Sequence, residues 1–171
     1  AQLSVIEAYP LPNLKKSNYQ DMLALILLSE FLEGDFQGSL YEVLVHKKKW
    51  VFSLASAAAF FSERDPWSFS FFVKPTPSAK WEDIEAIIHQ KLEQIAREGV
   101  KQDDLKRARH YVYNELVMSL DDIQQKAVLL GDALSSDVTL DQLNSLDADL
   151  EKVTSQDIQR VIKTYLQPEK S

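Results

Sequence analysis

The chain has 171 residues and carries 26 acidic against 19 basic side chains, which gives a formal net charge of −7. With 45 % hydrophobic and 26 % charged residues, its length and composition are typical of a single globular domain. The acidic balance argues against a nucleic-acid partner, because a phosphate backbone attracts a basic face. The sequence has no cysteine, which excludes disulfides, thiolate metal sites and cysteine nucleophiles.

The sequence predicts no membrane span. Its two longest apolar stretches, Met22–Leu32 and Trp50–Phe61, are interrupted by polar residues and fall short of the roughly 20 apolar residues that a span requires. No basic region followed by an apolar run opens the chain, so no signal peptide is predicted. The chain begins in what reads as a strand, which favours a mature or excised domain.

The first predicted elements are a strand and a strongly apolar helix. Leu3–Tyr9 reads as a short strand closed by Pro10 and Pro12, since proline cannot continue a ladder. Ser17-x-x-Gln20 matches a capping box and opens a helix over Asn18–Glu33. This helix is apolar nearly all round, which predicts burial on most sides or contact with a partner. Gly34 is expected to end it in a left-handed conformation.

A second helix and a β-hairpin follow. Gly38–Lys49 reads as a shorter helix. Trp50–Phe61 and Trp67–Lys74 read as two strands, joined by turn residues. The second strand alternates apolar and polar positions and predicts one buried row: Trp67, Phe69, Phe71 and Val73.

The rest of the chain reads as helical. Apolar spacing predicts helices from Trp81 to Gly99, from Gln102 to Leu120 and from Asp121 to Leu134. Two more capping boxes, Thr139-x-x-Gln142 and Thr154-x-x-Asp157, open two final helices. Because strands come first and helices later, we predict an α+β fold: one antiparallel sheet packed against helices on one face. No linker is evident, so residues 1–171 are expected to form a single domain.

The residues by themselves do not predict an active site. The three histidines are too far apart for a helical zinc site, and no G-x-S-x-G motif is present. Glu85 and His89 lie one helical turn apart, and we interpret them as a solvated pair. His46 adjoins three lysines, which fits either a patch for an anionic ligand or cations at a helix C-terminus, and the second interpretation needs no ligand.

The stretch Gly34–Trp50, GDFQGSLYEVLVHKKKW, resembles the signature of the second-type domain of insulinase/pitrilysin-type zinc metallopeptidases, a family that includes mitochondrial processing peptidase. Its features are a glycine-bearing loop, a Ser-Arg-Leu-Tyr-like motif that opens a helix, and a Lys/Arg cluster before an aromatic strand. Other pieces agree in order and spacing over nearly the whole chain, among them Leu28-Ser29-Glu30-Phe31-Leu32, Asp104-Leu105-Lys106-Arg107-Ala108 and Tyr165-Leu166-x-Pro168-Glu169.

The resemblance implies a division of labour. In these peptidases one domain carries H-x-x-E-H and a downstream glutamate, which bind zinc and activate water, and further domains close a chamber around the peptide. This chain lacks the motif, so the resemblance implies a non-catalytic domain with no catalytic residue and no metal of its own. Zinc is expected in a catalytic domain of the same or a sister chain. Glu115 lies on the helix where a catalytic sister domain would place its distal ligand, and here we interpret it as a surface or capping acid.

Tyr41 is the one candidate substrate-binding residue. In some family members the Arg and Tyr of the Arg-Leu-Tyr motif bind peptide beside the zinc. Tyr41 matches this tyrosine, but Ser39 stands where the arginine would, and the exchange removes a bidentate donor to substrate carbonyls.

Three functions remain open at this stage. The first is an accessory, non-catalytic domain of a zinc metallopeptidase, expected to be a fragment of a longer chain, that forms part of the peptide-enclosing chamber and the interface with the catalytic domain. The second is a structural or assembly domain of a proteolytically inactive family member. The third is a module that binds peptides by adding a strand to its sheet edge. The resemblance favours a bacterial periplasm or cell envelope as the location.

Overall fold

A computed structural model of the chain describes residues 4–12, 18–34, 36–58, 67–121 and 139–170. Within these residues the elements follow in the order β1 (Val5–Leu11), α1 (Tyr19–Glu33), a π-helix (Glu42–Lys47), β2 (Val51–Ala58), β3 (Trp67–Pro75), α2 (Trp81–Glu98), α3 (Gln102–Asp121), α4 (Leu140–Asn144), α5 (Leu146–Lys152), α6 (Ser155–Tyr165) and a 3-10 helix (Pro168–Lys170).

β3 is the central strand of an antiparallel sheet with the order β1–β3–β2. Its alternating sequence places Phe69, Phe71 and Val73 on the buried face, as predicted, because successive side chains of a strand point to opposite faces. Helices cover this face, with α1 packed against β2 and α6 against β1. The predicted α+β class, one antiparallel sheet with helices on one face, is confirmed.

The opposite face of the sheet carries exposed apolar side chains, and we call it the outer sheet face. Phe72 of β3 lies between Ile6 of β1 and Ala55 of β2, which are its partners in the sheet register. Ile6 is 61 % exposed and Phe72 46 %. Phe52 of β2, which lies at an irregularity in the β2–β3 register, is 55 % exposed. Strands with one buried and one solvated face usually alternate apolar and polar residues, so apolar residues on both faces are a departure from that pattern.

α1 is the central helix of the core. It contacts β2, α3, α5 and α6. Its first turn is tied to α6, where the Tyr165 hydroxyl donates to Asp21 at 2.8 Å and Arg160 also pairs with Asp21. The predicted burial on most sides is confirmed, since eight residues of the helix are buried: Met22, Leu23, Ala24, Leu25, Leu27, Leu28, Phe31 and Leu32.

Two predictions near α1 were wrong. β1 does not stop at Pro10 but continues through it to Leu11, because β1 is an edge strand of the described sheet and an edge position tolerates a missing amide donor. Gly34 ends α1 in an extended conformation, with φ −72° and ψ 177°, and not in a left-handed one. Glycine is needed there for space, since an added Cβ would lie 2.5 Å from the Glu30 carbonyl oxygen.

The ends of the later helices agree better with the sequence predictions. The boxes at Thr139 and Thr154 form as predicted, each with reciprocal bonds to the residue three positions on. Gly99 closes α2 with φ 73°. The helix predicted after Thr139 divides into α4 and α5 at Ser145.

Some predictions concern residues outside the described ranges. These are Ser17 of the first capping box, the turn between β2 and β3, and nearly all of the helix predicted from Asp121 to Leu134. None of the described helices is both long and apolar enough to cross a membrane.

Candidate functional site

A cleft of about 680 Å³ lies where the end of α1, the π-helix and α3 meet. We call it the Tyr41 cleft. Its wall is built from side chains and backbone of all three elements: Glu30, Glu33, Gly34, Phe36, Ser39, Tyr41, Glu42, His46, Arg107, Tyr111 and Glu115. The predicted site residue Tyr41, the substituted position Ser39 and the candidate acid Glu115 therefore share one cavity, although Glu115 is 74 positions from Tyr41 in the sequence.

The segment before Tyr41 begins its helix with a cap that explains Ser39. The Ser39 hydroxyl accepts a hydrogen bond from the Glu42 amide at 3.1 Å, and the Glu42 carboxylate accepts one from the Gly38 amide. Ser39 is 1 % exposed. Ser39-x-x-Glu42 therefore works as a capping-box variant, with the acid reaching one residue beyond the usual amide. The Ser39 side chain therefore bonds to the backbone of its own segment.

The helix after Tyr41 is a π-helix, and its wider turn sets the position of the tyrosine ring. The Lys48 amide donates to the Val43 carbonyl at 2.9 Å, a bond across five residues. This turn places Tyr41 and His46, also five residues apart, in an edge-to-face contact with ring centroids 5.3 Å apart. Tyr41 is half-buried, and its hydroxyl makes no hydrogen bond to another described residue. The Tyr41 side chain lines the cleft.

Two of the three lysines after His46 have partners within the chain. Lys47 pairs with Glu42 at 2.9 Å, and the Lys48 ammonium lies 4.2 Å from the centroid of the Trp50 ring. His46 and Lys47 occupy the last turn of the π-helix, where a helix dipole favours cations. These contacts favour the structural interpretation of the basic run over a patch for an anionic ligand.

Three glutamates form an acidic wall in the Tyr41 cleft. Burial, with further contributions from Glu115 and Glu33, raises the pKa of Glu30 to about 7. Burial also raises the pKa of Glu33, although its carboxylate accepts a hydrogen bond from the Ser56 amide at 3.0 Å. The charge of Glu115, followed by that of Glu30, raises the pKa of Tyr111. The three acids therefore repel one another, and a cation in the cleft would relieve that repulsion.

Arg107 lies at the rim of the cleft and does not neutralise this wall. Its guanidinium stands 4.9 Å from the centroid of the Phe36 ring and pairs with Asp104 at 2.6 Å. Among the described residues, no lysine or arginine forms an ion pair with Glu30, Glu33 or Glu115. The arrangement is suited to bind a cationic group, such as a lysine or arginine side chain of a peptide, beside aromatic surface.

Sequence analysis missed Glu30 and Glu33 as site residues. A signal was present, because they are acids spaced i, i+3 at the C-terminal end of an apolar helix, where the dipole disfavours negative charge. Glu115 was singled out, but its closeness to these acids depends on the packing of α3 against α1.

The interpretation of Glu85 and His89 as a solvated pair was wrong. His89 Nε2 lies 2.8 Å from Oε1 of Glu7, a buried carboxylate of β1, and the His89 side chain is 25 % exposed. Glu85, Glu7 and His89 offer ligand atoms that all lie within 4.8 Å of one another. Within the described residues this is the one group of three or more such side chains close enough to share a metal ion.

Comparisons with solved structures support the fold. A protease from Helicobacter pylori matches with a TM-score of 0.83 at 24 % identity, over 98 % of this chain and 39 % of its own. An inactive peptidase domain from Bordetella parapertussis matches with a TM-score of 0.77 at 19 % identity, over 99 % of this chain and 88 % of its own. The periplasmic protease PqqL from Escherichia coli matches with a TM-score of 0.63 at 16 % identity, over 96 % of this chain and 18 % of its own.

The family comparison goes beyond the fold. No curated protein sequence matches the chain. The family described as the peptidase M16 inactive domain matches residues 1–112, which is most of the chain. An inactive domain of this kind implies a catalytic partner domain, and it is consistent with a domain that carries no proteolytic zinc of its own. The chain belongs to the M16 family, the insulinase-like zinc metallopeptidases, as one of its non-catalytic domains.

Proposed function

We propose that this chain is an accessory domain of a zinc metallopeptidase. It forms part of the wall of a peptide-enclosing chamber and contacts a catalytic domain that carries H-x-x-E-H and the zinc ion. The chain contributes binding surface and no catalytic residue, since H-x-x-E-H is missing from its sequence. Membership in the inactive-domain family supports the division of labour.

The observation that carries the interface is the outer sheet face. Ile6 and Phe72 form a paired row across β1 and β3, and they are exposed together with Phe52. Exposed apolar side chains grouped in this way mark a contact surface, because burying them removes apolar area from water at about 25 cal/mol per Å². The catalytic domain of the same or a sister chain is the proposed occupant.

The Tyr41 cleft supplies the proposed contact with peptide. Its acidic wall would attract a basic side chain, and the Tyr41 hydroxyl could bond to a peptide carbonyl or amide. Some family members carry an arginine at the position of Ser39. In this chain Ser39 caps a helix instead, so no guanidinium from this position can act beside Tyr41. We therefore assign Tyr41 a binding role and assign peptide preference to the glutamates.

The extent and location of the parent protein are part of the proposal. We regard residues 1–171 as one domain of a longer peptidase, and the chain covers 39 % of the Helicobacter pylori protease that it resembles. A bacterial periplasm or cell envelope is the proposed location, in keeping with the periplasmic protease among its structural neighbours.

One observation favours a second function. Ser39 is buried and committed to its cap, so the substrate-binding arginine of the family motif is lost. A structural or assembly domain of a proteolytically inactive family member would tolerate this loss. The sequence of the neighbouring domain distinguishes the two proposed functions. An H-x-x-E-H motif there favours the peptidase, and its absence favours the assembly domain.

Reconstitution tests the proposal. The domain with H-x-x-E-H encoded in the same or an adjacent reading frame is expressed with and without this chain, and the hydrolysis of fluorogenic peptides is measured. We expect activity to need both parts, and we expect Phe72→Ser and Ile6→Ser to weaken their association. Tyr41→Phe should raise KM with little change in kcat. Peptides with lysine or arginine should be cut more efficiently than neutral analogues, and Glu115→Gln should reduce that preference.

Met118→Ser is the matched control for the interface. Met118 is 73 % exposed on α3, away from the sheet, so its replacement removes apolar surface without touching the outer sheet face. If the catalytic domain cut peptides equally well without this chain, the accessory role would be wrong. If Met118→Ser weakened association as much as Phe72→Ser, the sheet would not be the contact surface.

A further inference from the structure

Glu7, Glu85 and His89 come from two elements and meet at one point. Glu7 lies in the middle of β1, and Glu85 and His89 lie one turn apart on the same side of α2. Their ligand atoms are all within 4.8 Å of one another, and His89 Nε2 is 2.8 Å from Glu7 Oε1. Ligands of a tetrahedral zinc ion are about 3.3 Å apart, from bonds of about 2.0–2.1 Å. The His89–Glu7 distance is below this value and the other separations are at most 4.8 Å, so side-chain movements of an ångström or two would bring the three groups to a metal.

Glu7 provides a second and independent observation. Its side chain is 4 % exposed, and within the described residues its Oε2 atom is buried without a hydrogen-bond partner. A buried carboxylate oxygen without a partner is costly, and an ion is one of the few groups that can satisfy it. Bringing Glu85 close to Glu7 adds a second carboxyl group to the same small volume. A divalent cation would balance two carboxylates and satisfy the free oxygen.

The supporting side chains hold Glu7 in place. Tyr9 is fully buried two residues along β1, and its hydroxyl donates to Glu7 Oε1. The Tyr9 ring packs edge-on against Phe71, the residue that pairs with Glu7 in the sheet. Hydrogen bonds of this kind to a ligating carboxylate fix its orientation in metal sites.

The His89 side chain, which is 25 % exposed, is the part of the cluster that borders a cleft. His89 borders a cleft of about 650 Å³ between α2 and the end of α6, where Leu166 and Pro168 form part of the opposite wall. A metal ion could enter from this cleft, and water could complete its coordination. Burial of Glu7 on the other side would lower the local dielectric and strengthen the bonds.

We propose that Glu7, Glu85 and His89 bind one divalent transition-metal ion. The donor set of one imidazole and two carboxylates fits zinc or manganese, and the imidazole makes magnesium and calcium poor occupants. The inference departs from the expectation that the chain holds no metal. That expectation rested on the missing H-x-x-E-H motif, and a motif search cannot detect a ligand supplied by a strand 78 positions before Glu85. The site lies outside the Tyr41 cleft, and we assign it a stabilising role and no part in peptide hydrolysis.

Metal titration of the purified chain tests the site. After treatment with a chelator and its removal, Zn²⁺ is titrated in competition with a fluorescent zinc indicator, and Mn²⁺ and Mg²⁺ are titrated separately. We expect one Zn²⁺ or Mn²⁺ per chain, no saturable Mg²⁺ binding, and a Tm that rises with the bound ion. His89→Gln and Glu85→Gln should each weaken binding by at least about tenfold.

His46→Gln is the matched control, because His46 is an exposed histidine on another element. It should leave affinity and stoichiometry unchanged. Far-UV circular dichroism of the metal-free variants establishes that they are folded, and the partly exposed Glu85 keeps the test informative if His89→Gln is destabilised. The proposal is overturned if neither Zn²⁺ nor Mn²⁺ binds stoichiometrically, or if His89→Gln and Glu85→Gln bind like the unmodified chain. Either result leaves the accessory function untouched, since that function does not use these residues.

Discussion

Glu30→Gln removes the most perturbed acid of the Tyr41 cleft while keeping the shape of the side chain. Burial, Glu115 and Glu33 raise the pKa of Glu30 from 4.5 to about 7. Glu30 in the folded chain therefore holds a proton that the unfolded chain releases above pH 4.5. The contribution of Glu30 to the free energy of unfolding is therefore fully present below about pH 4.5. It is lost as the pH rises through about 7.

The size of the effect follows from the shift. At about 1.36 kcal/mol per pKa unit, the change from 4.5 to about 7 corresponds to roughly 3 kcal/mol for a fully buried group. Glu30 is partly exposed, and solvent screening reduces this to about 1–2 kcal/mol. Glutamine carries no charge at any of these pH values, so Glu30→Gln should stabilise the chain by that amount at pH 8 and by much less at pH 5. For a chain of this size, 1–2 kcal/mol corresponds to a Tm increase of roughly 2–8 °C.

Thermal and urea unfolding at pH 5, 6.5 and 8 measure this dependence. Glu93→Gln is the control, because Glu93 is an exposed glutamate on α2 and its exchange should not produce the same pH trend. A stabilisation by Glu30→Gln that is equal at pH 5 and pH 8 would contradict the reasoning. So would a Glu93→Gln variant with the same trend.

Three further substitutions test the local structure, each by the change in the free energy of unfolding from urea denaturation. Ser39→Ala should cost about 0.5–2 kcal/mol through the lost cap, and an unchanged stability would show that the cap has no energetic role. Gly99→Ala should cost more than about 1 kcal/mol, because φ is 73° and the added Cβ would meet the Ser155 hydroxyl. Gly38→Ala is its control, since Gly38 is also at positive φ but an added Cβ there would make only an ordinary contact with the Lys91 ammonium at 3.7 Å. Phe71→Ala should cost about 3–5 kcal/mol, because it leaves a cavity against the buried face of the sheet. Phe72→Ala is the control and should cost much less, because Phe72 is exposed.

Local sequence patterns predicted most of the elements. The alternation of Phe69, Phe71 and Val73 indicated a one-sided strand, and the structure buries all three. The box at Thr154 and Asp157 forms with its reciprocal bonds. Such features depend on residues within about four positions of one another, because capping and side-chain periodicity are properties of a single turn or strand.

The sequence did not predict the type of one helix, the full length of β1 or the contacts between distant residues. The sequence predicted a helix over Gly38–Lys49 but did not indicate that Glu42–Lys47 would form a π-helix. β1 ran through Pro10 because its position at the sheet edge, unknown from the sequence, made proline tolerable. The acidic wall needed α3 to pack beside α1, and so Glu115 came close to Glu30 although they are 85 positions apart.

The amino-acid sequence by itself determined the α+β class, the buried helix α1, the buried row of β3 and, through the resemblance of Gly34–Trp50, the non-catalytic membership of a peptidase family. Tertiary structure alone decided which charged groups meet: the glutamates of the Tyr41 cleft, and Glu7 with His89. The physical reason is that hydrogen-bonded turns and apolar periodicity are short-range, whereas the distance between two charges on different elements is set by how the core packs between them.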